Sequence, residues 1–227
     1  MTKYAMIIDL GKCVGCSACQ IACKVENVVG TGHFYSSHEV ITRGSFPDVT
    51  YRYIPTMCNH CDNAACVQAC PPGAITKIDG LSILDSSQCV GCGACVVACP
   101  YGFSMMREKQ SYRLLFDEGE AIKGCTSSGS EISRLVASPV PYAGVEEGDK
   151  DWLLDESKAE KCNFCEQRRK QNEDPYCVHM CPANARIWGD IDDDDSDAAK
   201  VLKQQDARVS HPEYGTSPSV FYIGAFS

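Results

Sequence analysis

Residues 89–100 read C-V-G-C-G-A-C-V-V-A-C-P, four cysteines spaced x2, x2, x3 and closed by a proline. No other feature constrains the chain as much. Three thiolates at two-residue spacing can wrap a loop around one [4Fe–4S] cube, and the fourth, on the helix that follows, ligates a different cube. Gly91 and Gly93 allow positive φ and bring backbone amides up to the sulfides. The segment A-C-V-V-A-C is expected to form a short helix with Cys95 and Cys99 about one turn apart. Pro100 ends it. One such run therefore implies a partner run.

The chain supplies three more groups. Group one is Cys13, Cys16, Cys19 and Cys23, with the same spacing but Lys24 in place of proline, so its helix is expected to run on toward Val29. Group two is Cys58, Cys61, Cys66 and Cys70 before Pro71, with a gap of four residues in the middle. Group three is the run already described. Group four is Cys162, Cys165, Cys177 and Cys181 before Pro182; its eleven-residue gap carries Arg168, Arg169 and Lys170. Four groups make sixteen ligands, enough for four cubes. Cys125 is left over and reads as a free structural thiol.

Only eighteen residues join groups two and three, so these form one module, inserted in a module made by groups one and four. Crossover of the fourth cysteine then assigns the ligands. Cluster A takes Cys13, Cys16, Cys19 and Cys181; cluster B takes Cys162, Cys165, Cys177 and Cys23. Cluster C takes Cys58, Cys61, Cys66 and Cys99; cluster D takes Cys89, Cys92, Cys95 and Cys70. The fold class expected is α+β: two bacterial-ferredoxin-like modules, one nested in the other, each binding two [4Fe–4S] clusters. Residues 1–54 and 158–227 form the outer module with a C-terminal extension. Residues 55–157 form the inner one, with a loop-rich, flap-like insertion at 103–157.

Between the groups, Tyr4–Leu10 reads as a strand, and residues 40–57 as a hairpin-rich link with a strand at Val49–Ile54. A-I-T-K-I-D-G-L-S-I-L-D reads as a hairpin about Asp79-Gly80. A-R-I-W-G-D-I reads as a strand, with a short helix near Ala198–Gln205 and a last strand at Val220–Ala225. Trp188 is assigned to the core and the acidic run Asp190–Asp197 to solvated surface. His60 and His179 fall inside cysteine groups and are read as spacers, since each group already supplies its thiolates. The three basic residues at 168–170 either solvate their loop, or raise a nearby cluster's potential, or dock a partner.

Composition narrows the alternatives. The net charge of −9 becomes more negative once cubes are bound, which excludes nucleic acid as a partner. Four-cysteine zinc sites usually pair two C-x2-C units, whereas groups one and three crowd four cysteines into eleven residues. Seventeen cysteines, an odd number, with no visible signal peptide, argue against a secreted disulfide framework. No run of 18 apolar residues offers a transmembrane segment.

With its four groups in order, including C-N-H-C-D-N-A-A-C-V-Q-A-C-P and the C-P-Y-G that ends group three, the chain resembles the four-cluster iron–sulfur subunit of molybdopterin oxidoreductases of the dimethyl sulfoxide reductase superfamily. The resemblance covers nearly the whole chain, and the irregular second and fourth spacings are its most specific part. The ligand pairing known for the family agrees with the crossover assignment. Within the family, F-P-D-V-T-Y-R-Y-I-P-T-M-C-N-H-C-D and P-E-Y-G-T-S-P-S-V-F-Y are similar to the small subunits of respiratory arsenate reductase and the catechol dehydroxylases. The resemblance implies a non-catalytic electron-transfer subunit in a heteromer. A large partner would hold the molybdenum or tungsten bis-pterin, and a quinol-linked or soluble redox partner, with or without a membrane anchor, would complete the circuit. It also implies a place outside the cytoplasmic membrane, reached by export with a partner that carries a twin-arginine signal; without that partner the chain would stay cytoplasmic. The other reading of the residues is a free-standing polyferredoxin carrier. Substrate, direction of electron flow and cluster order are not legible.

Overall fold

The computed structural model describes residues 2–27, 29–30, 32–107, 157–224 and 226. Most of the flap-like insertion, with Cys125, lies outside the described residues. Apart from Arg107 and Ser157, the described residues belong to one unit, Met1–Met106 with Lys158–Ser227.

The apolar run after the N-terminus forms β1 (Tyr4–Asp9), whose four central residues are buried. It is a central strand, as its apolar residues on both faces require. On one side it pairs antiparallel with β8 (Arg186–Asp190), and on the other it runs parallel to β10 (Val220–Ile223). The short β9 (Ala207–Arg208) closes the sheet in the order β8-β1-β10-β9. One sheet thus ties the N-terminal strand to segments near the other end of the chain. Helix α6 (Asp197–Gln204) packs Ala198 against Ile7 and Ile223 of this sheet. Ser196 caps it, its hydroxyl accepting from the Ala199 amide at 3.0 Å. The acidic run therefore does more than meet water: its exposed aspartates lead into a capped helix N-terminus, where negative charge is favourable.

Helices elsewhere are short because the cysteine groups fix both their ends. α3 (Ala94–Ala98) starts after Gly93, whose φ is 71°, and stops before Pro100. α2 (Ala65–Gln68), α4 (Glu166–Arg169) and α5 (Tyr176–His179) have four residues each. α1 (Ala18–Glu26) reaches nine, because Lys24 stands where a proline would break it. It ends short of Val29, at Asn27, whose side-chain amide donates to the Cys23 carbonyl at 3.1 Å. α1 packs on α5, and α2 on α3.

Two hairpins connect these parts. β4 (Ile75–Ile78) and β5 (Leu81–Leu84) turn through Asp79 and Gly80, both at positive φ, as a two-residue primed turn needs. β2 (Ser36–Ser45) and β3 (Asp48–Met57) form a longer hairpin than the Val49–Ile54 strand suggests. Its outer half is exposed, with Phe46 at the tip, so burial gives no alternating signal there. The pair β6 (Ser104–Met106) and β7 (Ala159–Lys161) brings the chain to group four. Trp188 is half-buried and stacks on Tyr4, ring centroids 4.9 Å apart, at the edge of the main core. Among the described residues no helix is long and apolar enough to cross a membrane.

Candidate metal centres

Each cysteine group lies where a strand or loop hands the chain to one of the short helices. In group one the Asp9 carboxylate accepts from the amides of Gly11 (2.9 Å) and Lys12 (3.2 Å), turning the chain out of β1. Gly15 follows at φ 68°, and a Cβ there would sit 2.4 Å from the Tyr53 ring, so only glycine lets this loop pass. Gly91 and Gly93, at φ 72° and 71°, curl the group-three loop in the same way.

The sixteen cysteines of the four groups are all free thiols. One cavity is lined by Cys13, Cys16, Cys19 and Cys181, with Arg186 in its wall. A second is lined by Cys58, Cys61, Cys66 and Cys99, with His60, Ser82 and Lys161 around them. Elsewhere Cys23 of α1 faces Cys165 and Cys177, and Cys162 lies beside Cys23 and Cys165. Cys95 faces Cys89 and Cys70. The fourth cysteine of each group thus stands among the first three of another. Cys16 and Cys92 are exposed, whereas Cys23, Cys58, Cys66, Cys95, Cys162, Cys165 and Cys177 are buried.

Among the described residues no three His, Cys, Asp or Glu side chains could close on a single ion. A tetrahedral zinc site would need four sulfurs about 2.3 Å from one point. A cube instead takes one thiolate at each of four iron corners, so its ligands stand further apart, around a cavity. The donor sets fit that group.

Burial dominates the acidity of these thiols. It pushes Cys61 and Cys165 up to about 11, and Cys23 and Cys162 well above the ordinary range. Bare, they hold their protons, and iron must displace them. Donors stand ready for the resulting thiolates. The amides of Phe164, Ala185 and Ala159 point at Cys162 (3.4 Å), Cys181 (3.3 Å) and Cys89 (3.4 Å). The Asn27 side chain reaches both Cys23 (3.6 Å) and Cys165 (3.7 Å).

His60 is buried and stacks on Phe164 with centroids 4.2 Å apart. Burial and the nearby Lys161, Lys77 and Arg169 hold its pKa well below the usual value, so it is neutral. His179 ends α5 and stacks on Tyr176. Arg168 is tied to Glu173 (2.8 Å) and to the Asp174 carbonyl (2.8 Å), and Arg169 to the carbonyls of Phe164 and Asn163. These two arginines brace the spliced loop from within, while Lys170 is exposed beside Glu166.

Sequence reading missed two buried cations, Lys161 and Arg186, and the Asn27 amide. Lys161 directly precedes Cys162, and Arg186 opens the strand Arg186–Asp190 five residues after Cys181. Their closeness in sequence to Cys162 and Cys181 was the available signal.

Residues 49–114 match a family described as a 4Fe-4S dicluster domain, and residues 12–74 with 88–185 match a second family of that description. The chain is 41% identical to the arsenate respiratory reductase iron–sulfur subunit of Shewanella sp. strain ANA-3, over 99% of this chain and 97% of that one. It is 34% identical to a putative dimethyl sulfoxide reductase iron–sulfur subunit of Halobacterium salinarum, over 98% and 79%. It is 35% identical to a tetrathionate reductase subunit of Salmonella typhimurium, over 98% and 72%. With two ferredoxin-type [4Fe–4S] domains and relatives that span it end to end, the chain belongs to the iron–sulfur electron-transfer subunits of the molybdopterin oxidoreductases, non-catalytic by themselves and working beside a catalytic subunit.

Proposed function

We propose that this chain holds four [4Fe–4S] clusters in the order A, B, C, D, with the sixteen cysteines paired by crossover, and relays single electrons between its molybdopterin partner and a quinol-linked or soluble redox partner. The observation that carries the reading is the pair of cavities, each lined by three cysteines of one group and the fourth of another. Bound clusters supply one-electron redox centres. The protein supplies thiolates, amide donors and spacing. Three cysteine pairs from different ligand sets are neighbours: Cys19 with Cys177, Cys58 with Cys162, and Cys66 with Cys95. They support a linear order. The exposed Cys16 and Cys92 belong to the two terminal sets, which suits electron entry at one end and exit at the other. The packing of α1 on α5 and of α2 on α3 supports the nested modules.

Relatives named for arsenate, selenate and tetrathionate reduction support a catalytic partner that reduces an oxyanion. Export with that partner to the outer side of the cytoplasmic membrane completes the reading. Cys99→Ser tests the pairing. The EPR signal it alters is expected to be the one altered by Cys61→Ser. Alteration of the Cys92→Ser signal instead would show that group three keeps its own fourth cysteine.

A further inference from the structure

Lys161 and Arg186 are 6% and 4% exposed. Among the described residues, neither takes part in an ion pair with a carboxylate. A buried cation without a counter-charge is costly. The ionisable groups beside them include several cysteines. Lys161 faces Cys58, Cys66 and Cys162. Arg186 faces Cys177, Cys19 and Cys23. Lys161 lines the cavity of the cluster C cysteines, bonds Cys58 and adjoins Cys162 of set B, and Arg186 lines the cavity of the cluster A cysteines and bonds Cys177 of set B.

Both are held firmly. Lys161 sits on β7 opposite Ser104, and its ammonium donates to the Ser82 carbonyl. Arg186 sits on β8 opposite Ile8, and its guanidinium donates to the Ser36 hydroxyl at 2.8 Å and reaches the Met57 sulfur at 3.3 Å. An oxidised cube with four thiolates carries about −2, and each electron adds one more negative charge. In a buried, low-dielectric setting that charge is felt strongly by a fixed cation and by the next cluster. A cation between two clusters favours the reduced form of both and offsets the repulsion between electrons on neighbours.

We propose that Arg186 and Lys161 are tuning residues for two successive junctions of the relay, each setting the potentials of the clusters on both its sides. This rests on the cluster reading above but not on the crossover cysteines alone, since Cys58, Cys66, Cys162, Cys177 and Cys19 all belong to the first three of their groups.

The test is an EPR-monitored redox titration of the intact complex, with signals assigned beforehand through Cys16→Ser, Cys165→Ser, Cys61→Ser and Cys92→Ser. In Lys161→Met the B and C clusters are expected to become about tenfold harder to reduce, a fall of about 59 mV for a one-electron couple. A and D stay in place. Lys161→Arg restores the native potentials. In Arg186→Met the A and B signals fall and the C and D signals hold. Unchanged potentials in an iron-replete Lys161→Met, or an equal shift of all four signals, would overturn the proposal. So would loss of iron from both Lys161→Met and Lys161→Gln, which would make Lys161 an assembly residue. A wild-type complex with fewer than four assignable signals would instead sink the four-cluster reading.

Discussion

Cys177→Ala is expected to remove one whole cluster, not one quarter of its ligands, and to stop donor-driven turnover of the complex. Cys177 is buried, beside Cys165 on one side and Cys19 and Arg186 on the other. Deleting its thiolate opens one iron corner, and the other fifteen cysteines of the four groups each have a corner of their own. It also removes a hydrogen-bonding partner of the buried Arg186, which keeps Cys19 and Cys23 as neighbours. Changes to groups that merely orient a ligand already cost about 10–100-fold in metal affinity, so loss of the ligand itself must cost more. Iron per complex should fall by about four atoms, the content of one cube, with one EPR signal missing. Full iron and native turnover would show that Cys177 is not a ligand.

Stripping iron under anaerobic conditions should cost the described unit its cooperative fold. Cys23, Cys58, Cys162 and Cys177 are part of the main core, beside Met6, Ile8, Val220 and Tyr222. The second core is smaller, with Cys66 and Cys95 among Ala64, Ile75 and Ala159. With clusters bound as proposed, these cysteines would pack around them, so removal would leave voids where the core should be. Cys66, Cys95 and Cys177 sit on α2, α3 and α5, helices of only four or five residues, against the roughly 12–15 an isolated helix needs. Metal binding and folding are then one equilibrium. The near-ultraviolet circular dichroism should collapse and the thermal transition broaden away. Residual structure is expected only where α6 packs on β1 and β10, a cluster of Ile7, Ala198 and Ile223 that contains no cysteine. A sharp transition in iron-free protein would contradict this.

Much of this was legible in the sequence because cluster chemistry writes itself as spacing. The glycines at 91 and 93, the stop at Pro100 and the turn at Asp79-Gly80 are local requirements, and local requirements appear as residue types at fixed offsets. The β1–β10 and β1–β8 pairings were not legible: a buried central strand is apolar on both faces and does not name its neighbours. The length of the β2–β3 hairpin was hidden because its outer half buries nothing. Arg186 and Lys161 were hidden for a different reason. Alone in the sequence they look like misplaced surface charges, and only the sulfur that the fold gathers around them explains their burial.

A four-cluster relay attached to a molybdopterin partner is tested most directly by metal content. The measurement is iron, zinc and molybdenum or tungsten per chain, in protein purified anaerobically from its native host. About sixteen irons are expected, from four complete cysteine groups, with molybdenum or tungsten near one per chain and little zinc. Full iron with neither metal would point to a free-standing carrier, and zinc in place of iron would contradict the relay outright.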